Sequence, residues 1–140
     1  MKAAFAYLVV GFSLLAPVAA LAHHSFAAEY DIKKPVTLKG KVTKVEWTNP
    51  HARFYVDVKD DSGSVTNWNL ELASPNVLIR QGWTRHSLNV GDEVTVVGSQ
   101  AKDGSNMANA RTVTLADGRK VFAFSPTEQP PASSEQPAAK

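Results

Sequence analysis

Three successive stretches in which apolar and polar residues alternate constrain this fold more than any other feature. The first runs from Val36 to Trp47, the second from Phe54 to Lys59, and the third from Thr66 to Leu72. Alternation with a period of two predicts β-strands with one buried face. In the first stretch the apolar residues change from even to odd positions close to Gly40, which predicts a bulge or a kink.

The period changes after the third stretch, where the sequence carries the signals of a short helix. Ser74 is placed to cap the helix N-terminus, Pro75 suits the first helical position, and Gly82 suits the residue after the last turn. The sequence therefore predicts one helix of about two turns near residues 74–81.

Two further strands are predicted after this helix. They cover Val94 to Gly98 and Arg111 to Leu115, and the Asp117-Gly118 pair predicts a hairpin turn toward Lys120–Phe124. Three strands, a short helix and two strands with an added hairpin arm follow the order of an OB-type barrel. We therefore predict an all-β fold with one short helix, a small five-stranded OB-type barrel. Another small β-barrel or sandwich with one helical turn is the alternative.

Both ends of the chain differ in composition from this middle part. Residues 1–22 carry a positive charge at Lys2, continue with an uncharged apolar run and finish in Ala20-Leu21-Ala22, the pattern of a cleaved signal peptide. Residues 126–140 are rich in Pro, Ser, Gln and Ala, which predicts a disordered tail. We therefore predict a periplasmic or secreted protein without a membrane span, whose single domain with an N-terminal arm covers residues 23–125.

The composition excludes several classes of protein. The chain has 140 residues, a length that suits one domain. Cysteine is absent, which excludes a disulfide scaffold, thiolate metal ligands and a cysteine nucleophile. The formal net charge of +2 gives no electrostatic reason to expect a nucleic-acid partner.

Five short motifs of this chain occur together in a known group of proteins. They are His23–Phe26 (HHSF), Thr48–Ala52 (TNPHA), Leu72–Asn76 (LASPN), Gly82-Trp83 and Gly91-Asp92. With them the chain resembles a family of small exported bacterial proteins catalogued as a domain of unknown function. The resemblance covers nearly all of residues 23 to 124 and implies export and a β-barrel, without catalytic residues. Family members are often aromatic where this chain has Arg53.

The histidines are the residues that suggest a metal site. Cleavage after Ala22 would make His23 the first residue, with a free amine and an imidazole that together can chelate a metal. His51, beside Pro50 in the turn before the second strand, is the candidate for the third nitrogen, and His24 could serve instead. A set of nitrogen ligands in a tetragonal arrangement favours Cu(II).

The metal hypothesis has a plain alternative. The two N-terminal histidines can be an accident of processing, His51 can cap a turn, and His86 is expected to be a solvated loop residue. Three neighbours of the arm could assist a metal, although we expect them to be solvated: Glu29, Tyr30 and Asp31.

Enzyme activity has little support in this sequence. It contains no Gly-x-Ser-x-Gly motif and no glycine-rich phosphate loop. Four carboxylates could in principle form acid–base pairs, but we expect them to be solvated on strand faces: Glu46, Asp57, Glu71 and Asp92. We therefore predict a protein that is not an enzyme, with a metal-dependent oxidase as the third hypothesis.

Aromatic residues suggest a second kind of site. Arg53 and Tyr55 could line a ligand face on the outer side of the second strand, with Trp47, before the turn, as a wall of the site. Trp68 is expected in the core, and Trp83 is expected to plug the barrel. The leading hypothesis is an exported binding module with copper as its ligand, and the alternative is a module that binds an unknown periplasmic protein or a small ligand.

Overall fold

The structure, a computed structural model, describes residues 26–122. Its elements in chain order are α1 (Phe26–Glu29), β1 (Tyr30–Glu46), β2 (Arg53–Lys59), β3 (Val65–Glu71), α2 (Pro75–Arg80), β4 (Glu93–Ala101), β5 (Met107–Leu115) and β6 (Lys120–Phe122). The strands form one sheet in the order β3-β2-β1-β4-β5-β6. Neighbours in this order are antiparallel.

The sheet closes into a barrel because β3 also pairs with β5, in parallel orientation. Asn69 lies opposite Met107 in this pairing, and Glu71 lies opposite Asn109. Five strands therefore form a ring, and β6 extends the β5 edge as a hairpin arm. The predicted five-stranded OB-type barrel is confirmed. The structure adds a second short helix, α1, which the sequence pattern did not predict.

The core consists of the inward-facing side chains that the alternation predicts. Phe54 and Val56 on β2 and Leu70 on β3 are completely buried. Trp83 is buried in the same cluster, as predicted for a residue that plugs the barrel. Trp68 is only partly buried and packs against the edge of this cluster, which differs from its predicted place inside the core.

Strand β1 changes face through a bulge. Its register with β2 shifts between Val42 and Lys44, so that Thr43 is the extra residue. Gly40 lies close by, and a Cβ atom there would meet the Asp57 carbonyl oxygen at 2.2 Å. Only glycine therefore allows β2 to approach β1 at this point.

Helix α2 begins and ends as its sequence predicts. The Ser74 hydroxyl accepts a hydrogen bond from the Val77 N–H at 3.4 Å, and Pro75 occupies the first helical turn. Gly82, after the helix, has a φ of 89°, a value that glycine adopts without strain. The Trp83 N–H then donates to the Leu78 carbonyl at 2.9 Å, which directs the indole back toward the core.

Three strands are longer than the sequence pattern predicts, and one of them, β4, covers Glu93–Ala101 instead of Val94 to Gly98. β1 begins at Tyr30 instead of Val36, and its pairing with β4 is irregular between Tyr30 and Pro35. β5 begins at Met107 instead of Arg111, because residues 108–110 are all buried and do not alternate. A strand that lies between two others can bury consecutive small residues, which hides its period of two.

Several predicted features lie outside the described residues. They are the signal peptide at residues 1–22, the N-terminal histidines His23 and His24, and the tail at residues 126–140. Within residues 26–122 the structure contains no helix that is both long and apolar enough to cross a membrane.

Candidate functional site

The turn between β1 and β2 holds His51 at the barrel surface. The Ala52 N–H donates to the Ala73 carbonyl at 3.1 Å, and the Leu72 N–H donates back to the Ala52 carbonyl at 2.9 Å. Ala52 itself is completely buried. These contacts tie the end of the turn to the end of β3 and bring His51 next to Glu71. The His51 side chain remains 31% exposed, so its ring can meet a ligand from solvent.

Glu71 is the centre of a buried polar cluster, which we call the Glu71 cluster and which contains Tyr30, His51, Arg53 and Glu71. One carboxylate oxygen, Oε1, lies 2.8 Å from Nδ1 of His51. The other oxygen, Oε2, accepts a hydrogen bond from the Tyr30 hydroxyl at 3.0 Å and another from the Arg53 guanidinium. Glu71 is only 3% exposed, so these partners replace water almost entirely.

The prediction that Glu71 is solvated is therefore wrong, and the reason lies in what covers the outer face of β3. Arg53 on β2 and Asn109 on β5 are the register partners of Glu71 on either side. The N-terminal arm adds Tyr30, which is 2% exposed and reaches Glu71 from outside the regular part of β1. The prediction that Tyr30 is solvated is wrong for the same reason.

The arm is held to the barrel by contacts beyond Tyr30. The Lys102 N–H donates to the Glu29 carbonyl at 2.9 Å, and the Lys102 ammonium donates to the Ala27 carbonyl. The rings of Phe26 and Tyr30 stack with their centroids 5.6 Å apart. Helix α1 is therefore attached next to the loop that follows β4.

The Glu71 cluster combines a carboxylate, a guanidinium and a neutral phenol. Arg53 places its positive charge directly on Oε2 of Glu71, and its Nη1 also donates to Asn69 Oδ1 at 3.3 Å. Burial raises the pKa of Tyr30 far above its usual range, and the nearby Glu71 carboxylate raises it further. Tyr30 therefore stays a hydrogen-bond donor at physiological pH.

The predicted ligand face on β2 is largely engaged by contacts within the chain. The Tyr55 hydroxyl donates to Glu46 Oε2 at 3.1 Å, and the Lys44 ammonium lies 5.1 Å from the Tyr55 ring centroid. Arg53 belongs to the Glu71 cluster, and Trp47 is partly buried against the core. Hydrogen bonds from Lys44 and Tyr55 hold the pKa of the Glu46 carboxyl below its usual range.

The remaining candidate residues lie in separate surroundings. His86 is exposed in the loop between α2 and β4, as expected for a solvated residue. Asp57 accepts from the Asn67 amide at 2.8 Å, and Asp92 accepts from the Asn89 N–H at 2.8 Å. Among residues 26–122, no three histidine or carboxylate side chains come together to hold a metal.

The Glu71 cluster can prepare a histidine for binding through one defined nitrogen. An ionised carboxylate only accepts hydrogen bonds, so Nδ1 of His51 must carry the proton that lies between them. The second nitrogen, Nε2, is then the ring atom with a lone pair for a metal or a proton. Metal-binding histidines commonly make this contact to a carboxylate through their other nitrogen.

Comparison with known proteins gives a family match but no activity. A family model described as "Family of unknown function (DUF6152)" matches residues 13–110. None of the curated proteins matches the chain.

Proposed function

We propose, from its site and its sequence, a function for this chain, which belongs to that family of unknown function. The protein is an exported binding module that holds one copper ion. The ligands are the amine and the ring of His23 and the ring of His51, with His24 as the alternative second imidazole. We propose handling or delivery of the metal, and we propose no enzyme activity.

The observation that carries this proposal is the contact between His51 and Glu71. The ring is partly exposed, its Nδ1 is 2.8 Å from a buried carboxylate, and its Nε2 is the remaining ligand atom. A carboxylate behind a histidine both orients the ring and increases its basicity toward a metal.

The attachment of the arm supports the proposed role of the N-terminal histidines as ligands. Tyr30 donates to the same carboxylate that contacts His51, so the chain that leads back to the N-terminus begins at the site. In the sequence His23 precedes Phe26 by three residues, and α1 starts at Phe26. The chain from His23 to Phe26 spans at most about 10 Å.

Export follows from the first residues of the chain and is the first prediction. We expect signal peptidase to cleave after Ala22, because Ala20-Leu21-Ala22 follows an uncharged apolar run. The intact mass of protein purified from the periplasm should then correspond to a chain that begins at His23. A mass that retains residues 1–22, or a start after His24, would contradict both export with cleavage and the copper site.

The second prediction tests copper binding through the free amine. Protein that begins at His23 should bind one Cu(II) per chain, measured by titration against a competing chelator. The same protein with one added methionine before His23 should bind more weakly, because the amine of His23 is then part of a peptide bond. If both proteins bind equally, the N-terminal chelate is wrong. If neither binds, the module that recognises a protein or small ligand is the better hypothesis.

A further inference from the structure

The two oxygens of the Glu71 carboxylate contact two different parts of the chain. Oε1 contacts His51 in the turn between β1 and β2, and Oε2 accepts from Tyr30 at the start of β1. These parts lie 21 residues apart in the sequence, and both lead to the ligands proposed above. Among residues 26–122, Glu71 is therefore the carboxylate that joins the histidine of the turn to the arm.

We infer that Glu71 is the positioning residue of the metal site. Its Oε1 fixes the His51 ring with Nδ1 protonated and Nε2 directed to the metal, and its Oε2 holds the arm through Tyr30. This inference rests on the proposed function and assigns a role to a residue that the sequence pattern placed in solvent. Glu71 itself makes no contact with the metal, because its oxygens are already engaged by Tyr30, His51 and Arg53.

The donors around Glu71 determine which ring nitrogen of His51 carries the proton. Tyr30 and Arg53 both donate to Oε2, so that position requires an acceptor. In the wild-type protein the opposite oxygen, Oε1, is also an acceptor, and Nδ1 of His51 must donate to it.

The substitution Glu71→Gln should move the proton of the His51 ring from Nδ1 to Nε2. The amide oxygen of the glutamine must take the position that faces Tyr30 and Arg53, because both of these groups donate there. Its NH2 group then faces His51 and donates to Nδ1, which leaves the proton on Nε2. A residue that only held the fold together would not move the proton from one ring nitrogen to the other.

The experiment combines ring-nitrogen NMR of the metal-free protein with copper titration, both on protein that begins at His23. The neutral His51 ring of the wild type should carry its proton on Nδ1, and that of Glu71→Gln should carry it on Nε2. Copper affinity of Glu71→Gln should fall by about tenfold or more, as found when the partner of a metal-binding histidine is removed. The signal of His51 is assigned by its loss in His51→Ala.

The variant Tyr30→Phe tests the contact of Glu71 with the arm independently of its contact with the His51 ring. It removes only the hydroxyl that donates to Oε2, so the proton of His51 should stay on Nδ1 while copper affinity falls. Glu93→Gln is the matched control for Glu71→Gln, because Glu93 is an exposed carboxylate on β4. It should leave both the ring proton and the copper affinity unchanged.

The outcomes distinguish the inference from the proposed function. A wild-type protein that binds no copper overturns the proposed function, and the role of Glu71 in it. A wild-type protein that binds copper while Glu71→Gln keeps the proton on Nδ1 overturns the positioning role alone. Unchanged copper affinity in Tyr30→Phe overturns the role of Glu71 in holding the arm.

Discussion

Replacing His51 by alanine should weaken Cu(II) binding at least about tenfold, or about 1.4 kcal/mol, in protein that begins at His23. The substitution removes one of three proposed nitrogen ligands and leaves the amine and ring of His23 in place. His51 is partly exposed at the surface of the turn, so its loss removes little packing. Titration against a competing chelator measures the change in affinity.

His86→Ala is the control for this substitution. His86 is exposed in the loop between α2 and β4, so its removal should leave copper affinity unchanged. Capture of copper by the His23-His24 pair alone also predicts a requirement for the free amine, but it predicts no effect of His51. Paramagnetic resonance spectra of the two variants and the wild type decide between these accounts. If the spectrum and affinity of His51→Ala match the wild type, the proposed site is wrong.

The barrel could be predicted because its signals are local. Alternation from Phe54 to Leu72 identifies two strands, and the Ser74-Pro75 pair followed by Gly82 identifies the helix between the third and fourth strands. Each signal depends on residues within one turn or one strand, where steric and capping preferences act directly. The order of the elements then restricts the fold to a few small barrels.

The Glu71 cluster could not be predicted in the same way, because it depends on register between strands. Arg53 lies opposite Glu71 only if the hairpin between β2 and β3 closes at Lys59 and Val65. The turn between these two positions gives a partial sequence signal of this closure, because it contains Gly63. This residue adopts a φ of 88°, a conformation that favours glycine. Counting back from that closing pair would have placed the two opposite charges side by side.

Tyr30 left no comparable signal in the sequence. Between Tyr30 and Pro35 the pairing of β1 with β4 is irregular, and the apolar alternation is lost over this segment. The burial of Tyr30 comes from contacts of the arm with residues far along the chain, Glu71 and the loop at Lys102. A position fixed by such long-range docking has no period of its own, so the sequence indicated a solvated arm.

Arg53→Leu should lower the free energy of unfolding by about 2–3 kcal/mol, measured by urea denaturation. Removing the guanidinium leaves the Glu71 carboxylate, which is 3% exposed, without its direct positive partner. Breaking a fully buried ion pair costs about 3–5 kcal/mol, and we expect less because the Arg53 side chain is 30% exposed. Tyr30 and His51 still hydrogen-bond the carboxylate and limit the loss.

Arg119→Leu is the matched control, because Arg119 pairs with Asp117 at 2.6 Å where both side chains are more than half exposed. Its loss should leave the free energy of unfolding almost unchanged, as for other exposed ion pairs. The double variant Arg53→Leu with Glu71→Leu completes the test, because it removes the buried charge together with its partner. If the effect of Arg53→Leu stays at its full size when Glu71 is already leucine, Arg53 stabilises the fold through packing. A smaller effect in that background shows that neutralising Glu71 is its role, as the geometry of the cluster predicts.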